Sequence, residues 1–221
     1  GVKMPIITRR KDIEAEWEQM HVEDLNSQEK RGDELHVSDL ILCLRQTTLG
    51  RIYDPKWDFM TAMRFAFGRA FETALAQTYL RGKTQELEIR FEGMVAHIDF
   101  GDDPNDWECK LTWGKRPSDA QAFFEDKPYW LEQAGTYAVA RGRTQSRFAV
   151  FHMMPVPGVS IYVIDWDEDD LEDYARVMVD RKDYVQEHME AGTHPPKTHM
   201  TWLCSNCSLK WACDKEFAQG R

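Results

Sequence analysis

The chain has 221 residues, of which 42% are hydrophobic and 30% are charged, and it carries a formal net charge of −10. This composition excludes a disordered polymer and is typical of one large domain, or of one domain with an appended lobe. No apolar run approaches the length of a membrane span and no signal peptide is evident, so we expect a cytoplasmic protein without a membrane partner. The acidic balance counts mildly against a nucleic-acid partner, although binding depends on local charge.

The charges are unevenly spread along the chain. Acidic residues dominate 165–170, whereas the segment 110–147 is rich in lysine and arginine. Its cations are Lys110, Lys115, Arg116, Lys127, Arg141, Arg143 and Arg147. The sequence therefore allows a basic face on an acidic protein, and such a face attracts phosphate groups.

The first 36 residues are polar and rich in charge. A helix over 11–30 is compatible with this sequence, but its apolar stripe is thin, which is typical of a surface helix. We therefore predict an N-terminal extension over 1–36 and a folded domain over 37–221.

Two helices are predicted at the start of this domain. Ser38 and Asp39 are typical of a helix start, and this helix is expected to run to about residue 48, just before Gly50. A second, longer helix over about 57–80 carries apolar residues at helical spacing and ends near Gly82.

The pattern then changes to the two-residue alternation of strands. Three strands are predicted over 87–91, 94–100 and 107–113, with a turn over 101–106. The remaining elements are a helix over 129–141, strands over 147–154 and 160–166, and a helix over 171–190. This order predicts an α/β fold with a mixed central sheet flanked by helices, followed by a cysteine-rich tail.

Two carboxylates and one lysine are expected to converge on the second and third strands. Residues two apart on a strand share a face, so Glu108 and Lys110 point the same way while Cys109 points to the opposite face. If the turn over 101–106 makes a hairpin, Asp99 comes to lie beside Glu108.

This group suits the hydrolysis of a phosphodiester. Asp99 and Glu108 are hard oxygen ligands for Mg²⁺ or Mn²⁺, and the backbone carbonyl of Cys109 can add a further ligand. Such a metal polarises the scissile phosphate and acidifies a bound water. Lys110 can orient that water or stabilise charge on the phosphate. A solvated hairpin with a Glu and a Lys on its wet face is the plainer alternative.

Two further motifs lie on the helices that flank these strands. Glu72, on the long helix, can complete the metal shell, and an ordinary surface charge is the alternative. Gln133 and Tyr137 are spaced i, i+4, which puts the amide and the phenol on one face of the next helix. Ordinary helix amphipathicity is the alternative for this second pair.

Together these residues resemble the RecB-like branch of the PD-(D/E)XK nucleases, whose pattern is G-x-x-x-[HE], D, [DE]-x-K and Q-x-x-x-Y. The matching residues here are Gly68 and Glu72, Asp99, Glu108 and Lys110, and Gln133 and Tyr137. The resemblance implies a restriction-endonuclease-like fold and a catalytic role for the matched Asp, Glu, Lys, Gln and Tyr. The first motif usually ends in His, and here it ends in Glu72.

Five cysteines stand at positions 43, 109, 204, 207 and 213. An odd number cannot pair fully as disulfides within one chain, and metal binding by reduced thiols fits an intracellular protein better. Cys204, Cys207 and Cys213 form a C-x-x-C-x5-C group, in which three thiolates nearly fill the shell of one metal centre.

A fourth ligand must come from elsewhere in the chain. Cys43 is the candidate, since Cys109 is expected to point into the core as a small hydrophobe. Thiolates select zinc or an iron–sulfur cluster, and the spacing alone does not separate the two. His194 and His199 flank the tail and are the alternative ligands for a zinc site.

One early cysteine and a late C-x-x-C-x5-C around a RecB-like core are similar to the arrangement in iron–sulfur nucleases. It occurs in AddB-type helicase–nucleases and in the CRISPR-associated Cas-four exonucleases, and this short chain resembles the latter over about residues 37–215. The resemblance implies a [4Fe–4S] cluster on Cys43, Cys204, Cys207 and Cys213, which joins the first helix to the tail. It also implies DNA trimming in CRISPR spacer acquisition, with the integrase proteins as partners.

The activity predicted from these motifs is metal-dependent cleavage of DNA, foremost as an exonuclease on single strands. Bases of single-stranded DNA can stack on some aromatic residues near the site, although each one alone is more often a core residue. These aromatic residues are Trp57, Trp113, Tyr129, Trp130 and Tyr137. A DNA-repair or viral recombination nuclease, and a DNA-binding assembly module with a zinc or iron–sulfur centre, stay open as alternatives.

Overall fold

A central sheet of five strands organises the computed structural model, which describes residues 11–27, 34–101, 103–197 and 201–218. The strands are β1 (Thr84–Phe91), β2 (Met94–Gly101), β3 (Asp106–Thr112), β4 (Gln145–His152) and β5 (Gly158–Asp165). They lie side by side in chain order. Neighbouring strands run antiparallel except β3 and β4, which run parallel and are joined by a helical crossover.

The helices account for most of the remaining described residues. They are α1 (Lys11–Ser27), α2 (Leu44–Gly50), α3 (Phe59–Gln77), α4 (Ala120–Glu125), α5 (Pro128–Arg141), α6 (Glu168–Glu190), α7 (Thr201–Ser205) and α8 (Lys210–Ala218), with a 3-10 helix over Val37–Leu40. The mixed sheet with flanking helices confirms the predicted α/β class. Within the described ranges, no helix is long and apolar enough to cross a membrane.

Different helices cover the two faces of the sheet. On one face, α3 packs Phe71 into a cluster that includes Cys109 of β3. On the other face, Tyr137 of α5 and Met178 of α6 pack in a cluster with Ile98 of β2. Full burial of an apolar side chain of this size contributes about 1.5–3 kcal/mol, so both clusters anchor the strands that carry the predicted site.

The predicted helix over 38–48 is wrong as one continuous element. The chain leaves the 3-10 helix and becomes extended at Cys43, whose φ of −119° and ψ of 100° are those of an N-cap residue ahead of α2. Arg181 of α6 provides the physical reason, since it donates to the carbonyls of Leu40 and Ile41 at 3.2 and 3.4 Å. These contacts hold both carbonyls outside a helical hydrogen-bond ladder.

Three short helices, α4, α7 and α8, have no counterpart among the predicted elements. The clearest local signal belongs to α4, because the side chain of Asp119 accepts from the amides of Gln121 and Ala122 and so caps the helix. Phe123 and Phe124 then pack into the core beside α5. Helices this short show little periodicity, and they are stabilised mainly by packing.

The N-terminal segment is attached to α3. Helix α1 lies within the predicted helix over 11–30, whose last residues 28–30 are outside the described residues. The rings of Trp17 and Phe59 meet edge-on with 5.3 Å between centroids. Leu35, at the end of the predicted extension, is buried in the core cluster that contains β2.

Candidate functional site

Strands β2 and β3 separate at the point where the predicted carboxylates lie. Phe100 and Trp107 form the pair that joins the two strands. Beyond this pair, the carboxylate of Asp99 fills the gap and accepts from the backbone amide of Cys109 at 2.6 Å. The antiparallel pairing is the predicted hairpin, and it brings Asp99 within electrostatic reach of Glu108.

Lys110 is held between β3 and α5. Its ammonium lies 2.5 Å from Oε1 of Glu108 and donates to Oε1 of Gln133 at 2.9 Å. Nε2 of Gln133 in turn donates to the hydroxyl of Tyr137 at 2.8 Å. The i, i+4 spacing on α5 therefore orients the amide toward the lysine, and the structure brings these four predicted residues into one hydrogen-bonded chain.

Burial and like charge both act on the carboxylates. Burial raises the pKa of Asp99, against the effect of Lys110. The pKa of Glu108 is raised to about 8, first by burial and then by Asp99, although Lys110 lowers it. Burial also acts to lower the pKa of Lys110, but the charges of Glu108 and Asp99 outweigh it and raise that pKa. The lysine therefore stays protonated. Its single positive charge cannot balance the negative charges of both carboxylates when both are ionised.

One oxygen of Glu108 lacks a partner among the described residues. Its Oε1 accepts from Lys110, while its Oε2 is buried without a hydrogen bond. Leaving a buried carboxyl oxygen without a partner is costly, most of all when the carboxyl is ionised. A divalent cation bound to Glu108 and Asp99 would supply the missing partner and reduce the repulsion, so this donor set fits a hard metal ion.

The two carboxylates do not by themselves complete a metal shell. As the described side chains stand, no group of three or more His, Cys, Asp or Glu residues could hold a metal ion. Mg²⁺ usually keeps several waters and takes one or two carboxylates, so a small set of protein ligands is compatible with this ion.

Glu72 reaches the same region from α3. The pKa of its half-buried carboxyl is raised to about 7 by burial and by the charges of Asp99 and Glu86, while Lys110 acts in the opposite direction. Glu72 in turn contributes to the raised pKa of Glu108. Glu72 therefore lies within electrostatic range of the predicted carboxylates rather than on a remote solvated face.

Glu86 is a neighbour that the sequence did not reveal. It stands on β1 between the pairs Gln85–Phe100 and Leu87–Ile98, which places it across from Asp99. Its φ of 48° is in the left-handed region, which is uncommon for a residue other than glycine. An exposed Glu in an alternating strand carries no signal in the sequence, because only the strand register puts it next to Asp99.

Cys109 lies on the opposite face of β3, as predicted. Its side chain is buried in the cluster packed under α3, and burial raises the pKa of its thiol. The thiol therefore stays protonated and behaves as a small hydrophobe. Its backbone amide is bonded to Asp99, which aligns the two strands at the site.

The other four cysteines gather on the side of α2. Cys43 precedes α2, Cys204 lies in α7, Cys213 lies in α8, and Cys207 stands between these two helices. Burial raises the pKa of the Cys207 thiol, and the charges of Cys43, Cys204 and Cys213 raise it further, so these three cysteines act on Cys207 through space. As the described side chains stand, the cysteines do not form a group that could hold a metal ion. We call these four cysteines, together with α7 and α8, the cysteine lobe.

Backbone and aromatic contacts attach the cysteine lobe to the first helices. The amide of Lys56 donates to the carbonyl of Ser208 at 2.9 Å. The rings of Tyr53 and Trp211 meet edge-on at 5.4 Å between centroids. All five cysteines are free thiols. The fold therefore brings the early cysteine to the late C-x-x-C-x5-C group without a disulfide.

The two histidines considered as alternative ligands have different outcomes. Nδ1 of His194 lies 2.8 Å from the hydroxyl of Thr48, so this ring is engaged on α2. His199 lies outside the described residues.

The predicted aromatic residues divide into core and surface groups. Trp130 and Tyr137 are buried, whereas Trp113 is 43% exposed and Tyr129 is partly buried. The ring of Trp57 packs edge-on against Phe65 at 5.6 Å. Burial therefore removes Trp130 and Tyr137 as stacking platforms and retains Trp113 and Tyr129.

Much of the predicted basic face is used within the protein. Arg141 pairs with Asp106 at 3.1 Å, and Arg116 donates to the carbonyl of Val159 at 2.9 Å. The ammonium of Lys127 lies 4.1 Å from the centre of a phenylalanine ring. These contacts reduce the positive charge that the segment 110–147 presents to a ligand.

Comparison with family models and with curated proteins finds no match. Among solved structures, the crystal structure of SSO0001 is similar to the chain at 14% identity and a TM-score of 0.52, over 90% of this chain and 94% of that chain. This likeness shows a shared fold.

Two solved exonucleases are less similar to the chain. The alkaline exonuclease LHK-Exo from Laribacter hongkongensis has a TM-score of 0.48 at 14% identity, over 80% of this chain and 95% of its own. A phage-related exonuclease from Haemophilus somnus 129PT has a TM-score of 0.43 at 15% identity, over 72% of this chain and 96% of its own.

Proposed function

We propose that the chain is a divalent-metal-dependent nuclease of the PD-(D/E)XK type that hydrolyses DNA, foremost as an exonuclease on single strands. The observation that supports this most is the convergence of Asp99, Glu108 and Lys110 around a buried carboxylate oxygen without a partner. An ordinary structural ion pair on a solvated hairpin would be exposed, whereas Glu108 is 4% exposed.

Each residue of the site has a role in this proposal. Asp99 and Glu108 would hold Mg²⁺ or Mn²⁺, and the carbonyl of Cys109 is the further protein ligand. When bound, the metal polarises the scissile phosphate and acidifies a water. Lys110 keeps its proton between its carboxylate neighbours, so its ammonium can neutralise charge that builds on the phosphate.

Gln133 and Tyr137 act as positioning residues for this lysine. Gln133 accepts from Lys110 through its carbonyl oxygen and donates to Tyr137 through its amide nitrogen. Tyr137 is 5% exposed, so its hydroxyl is fixed by the packing of α5 and fixes the amide in turn. Such support holds the ammonium in place while the substrate enters.

Glu72 is the proposed third carboxylate of the site. It lies on α3, on the side of the sheet opposite α5; the charge of Asp99 acts on it, and its own charge acts on Glu108. A carboxylate in place of the family's usual imidazole adds a hard oxygen and a negative charge, which favours Mg²⁺ over softer ions.

The cysteine lobe would hold a [4Fe–4S] cluster on Cys43, Cys204, Cys207 and Cys213. Four free, partly buried thiols from the two ends of the domain support a thiolate-bound centre, since Cys43, Cys204 and Cys213 all act electrostatically on Cys207. Zinc on the same thiolates is the alternative. Either centre would close a long loop of chain and so attach the tail to α2.

The biological setting is proposed from the family resemblance. It favours trimming of DNA for CRISPR spacer acquisition, with the integrase proteins as partners. Repair and viral recombination use the same chemistry on the same kind of DNA, so the assay below addresses the chemistry first.

The test measures nucleotide release from linear single-stranded DNA with Mg²⁺ or Mn²⁺, by protein prepared without oxygen. We expect the wild type to release short products and to spare a circular strand, and Asp99→Asn to lower the rate at least roughly 100-fold. The matched control is Asp180→Asn, which changes an exposed Asp on α6. Metal-independent cleavage, or equal rates for wild type and Asp99→Asn, would refute the proposal.

A further inference from the structure

We propose that two aromatic pairs, Tyr129–Trp202 and Phe67–Trp113, flank the carboxylate site and stack the bases of single-stranded DNA on either side of the scissile phosphate. This inference rests on the proposed nuclease function and specifies how that site selects its substrate. It also assigns to the cysteine lobe a direct part in substrate binding, because Trp202 belongs to α7.

The first pair lies on the α5 side of the site. Tyr129 stands one helical turn before Gln133, so the two share a face of α5, and Gln133 accepts from Lys110. Burial raises the pKa of Tyr129 and the charge of Lys110 opposes this effect, which agrees with the short separation. The ring of Trp202 lies 6.0 Å from that of Tyr129, tilted by 35°. The indole is 50% exposed and therefore presents a free face.

The second pair lies on the α3 side of the site. Trp113 follows β3 three residues after Lys110, which is about 10 Å along an extended chain. Phe67 stands five residues before Glu72 on α3, which is about 7.5 Å along the helix axis and about 140° around it, so Phe67 reaches the site through its contact with Trp113. The two rings meet edge-on with 6.1 Å between centroids. Trp113 is 43% exposed and Phe67 is 36% exposed, so both remain open to a ligand.

The positions of the two pairs indicate what they bind. α3 and α5 cover opposite faces of the sheet, and the carboxylates and Lys110 lie where β2 and β3 separate between them. A strand whose phosphate reaches the carboxylates would therefore meet one aromatic pair on each side. Unpaired bases expose π-faces to such rings, whereas bases in a duplex are already stacked and paired.

Stacking on rings needs little positive charge, and this fits a protein whose net charge is −10. Many cations of the segment 110–147 are already engaged within the fold, as described above. Base stacking thus supplies affinity that phosphate contacts alone would not.

The test measures the affinity of the full chain for a labelled thymidine oligonucleotide and for a duplex, by fluorescence anisotropy with EDTA so that no turnover occurs. Trp113→Ala and Trp202→Ala are each expected to weaken single-strand binding by roughly 5- to 150-fold, given about 1–3 kcal/mol per stacked base. Trp113→Phe and Trp202→Phe should recover most of the loss. Duplex binding should change by less than about twofold, since stacking contributes little to it.

Two controls carry the same kind of substitution elsewhere. Phe217→Ala changes a ring of the cysteine lobe that is 65% exposed, and Trp17→Ala changes an indole on α1 that is 46% exposed. Both should bind single strands like the wild type. If Phe217→Ala weakens binding as much as Trp202→Ala, the effect is not specific to Trp202 and its stacking role is refuted.

A small substrate separates this inference from the proposed function. Hydrolysis of bis(p-nitrophenyl) phosphate with Mn²⁺ by the wild type, and its loss in Lys110→Ala, report the carboxylate site without a polynucleotide. If that hydrolysis occurs while both Trp→Ala variants bind single strands like the wild type, the aromatic pairs are refuted and the nuclease stands. If wild type hydrolyses neither this ester nor DNA but single-strand binding depends on both tryptophans, the nuclease is refuted and the stacking surface stands.

Discussion

The carboxylate site and the cysteine lobe are built in different ways. In the first, Asp99, Glu108 and Lys110 stand on paired strands, and hydrogen bonds extend from the lysine into α5. The site holds buried charges whose repulsion is opposed by one lysine. In the cysteine lobe, partly buried thiols stand on short helices and on the connections between them.

This difference shows which geometry the fold supplies and which a ligand must complete. Strands packed between two layers of helices hold the active groups in place against their mutual repulsion. The cysteine lobe buries fewer apolar side chains, and Leu209 and Ala212 are among its few core residues. We therefore expect substitutions in the site to affect activity more than structure, and substitutions in the lobe to affect structure first.

The largest effect is expected from Lys110→Ala. Loss of the ammonium removes the group that neutralises charge on the phosphate, so nucleotide release should fall by roughly 100- to 1000-fold. Metal affinity, measured by calorimetry with Mn²⁺, should change much less, because a protonated lysine cannot ligate the ion. The matched control is Lys182→Ala on α6, whose ammonium donates to the carbonyl of Glu92. Wild-type activity in Lys110→Ala would exclude the lysine from the chemistry.

The next largest effect is expected from Cys204→Ser, and it concerns the lobe. Protein prepared without oxygen should lose its iron and its brown colour, and its melting temperature should fall because the tail is no longer attached to α2. Cys109→Ser is the matched control, since Cys109 is buried in a different cluster and should keep the iron content unchanged. Stoichiometric zinc and no iron in the wild type would contradict the cluster and support the alternative centre.

A pH series tests whether ionisation of the buried Glu108 carboxyl destabilises the folded protein. Glu108 has a folded-state pKa of about 8, above its ordinary 4.5, so the folded protein keeps a proton that the unfolded chain loses between those values. The unfolded chain then binds fewer protons, and the free energy of unfolding should fall as pH rises from about 5 to 8 without metal. Glu108→Gln cannot titrate, so its free energy of unfolding and its Tm should fall less steeply with pH than those of the wild type.

Thermal unfolding in EDTA at several pH values provides the measurement for that series. Glu125→Gln, at an exposed position on α4, should follow the wild-type curve. Added Mg²⁺ should flatten the wild-type curve and leave that of Glu108→Gln nearly unchanged. Parallel curves for wild type and Glu108→Gln would mean that folding does not raise the pKa of Glu108.

The smallest effect is expected from Glu72→His. An imidazole is a softer ligand without negative charge, so the ratio of activity with Mn²⁺ to activity with Mg²⁺ should rise by about three- to tenfold while activity persists. Titration with each metal gives this ratio, and Glu125→His is the control. Identical titrations for wild type, Glu72→His and Glu72→Ala would remove Glu72 from the site.

Local patterns in the sequence were sufficient to predict the sheet and the long helices. Alternation over β1, β2 and β3 and helical spacing over α3, α5 and α6 are properties of neighbouring residues, so they can be read without the fold. Glu108 and Lys110 are only two residues apart on one strand, which explains why the sequence correctly placed them on one face of β3. The same approach failed over 38–48, where the break depends on Arg181, which is distant in the chain.

What the sequence determined by itself is the inventory of chemical groups and their local periodicity: a carboxylate–lysine pair on a strand, an amide and a phenol on a helix, and a C-x-x-C-x5-C group. Tertiary structure decided which groups meet. It set Glu86 across from Asp99, buried Oε2 of Glu108 without a partner, and placed Trp202 of the lobe beside Tyr129. The physical reason is that burial, strand register and contacts between distant segments depend on how whole elements pack, and no short stretch of sequence carries that information.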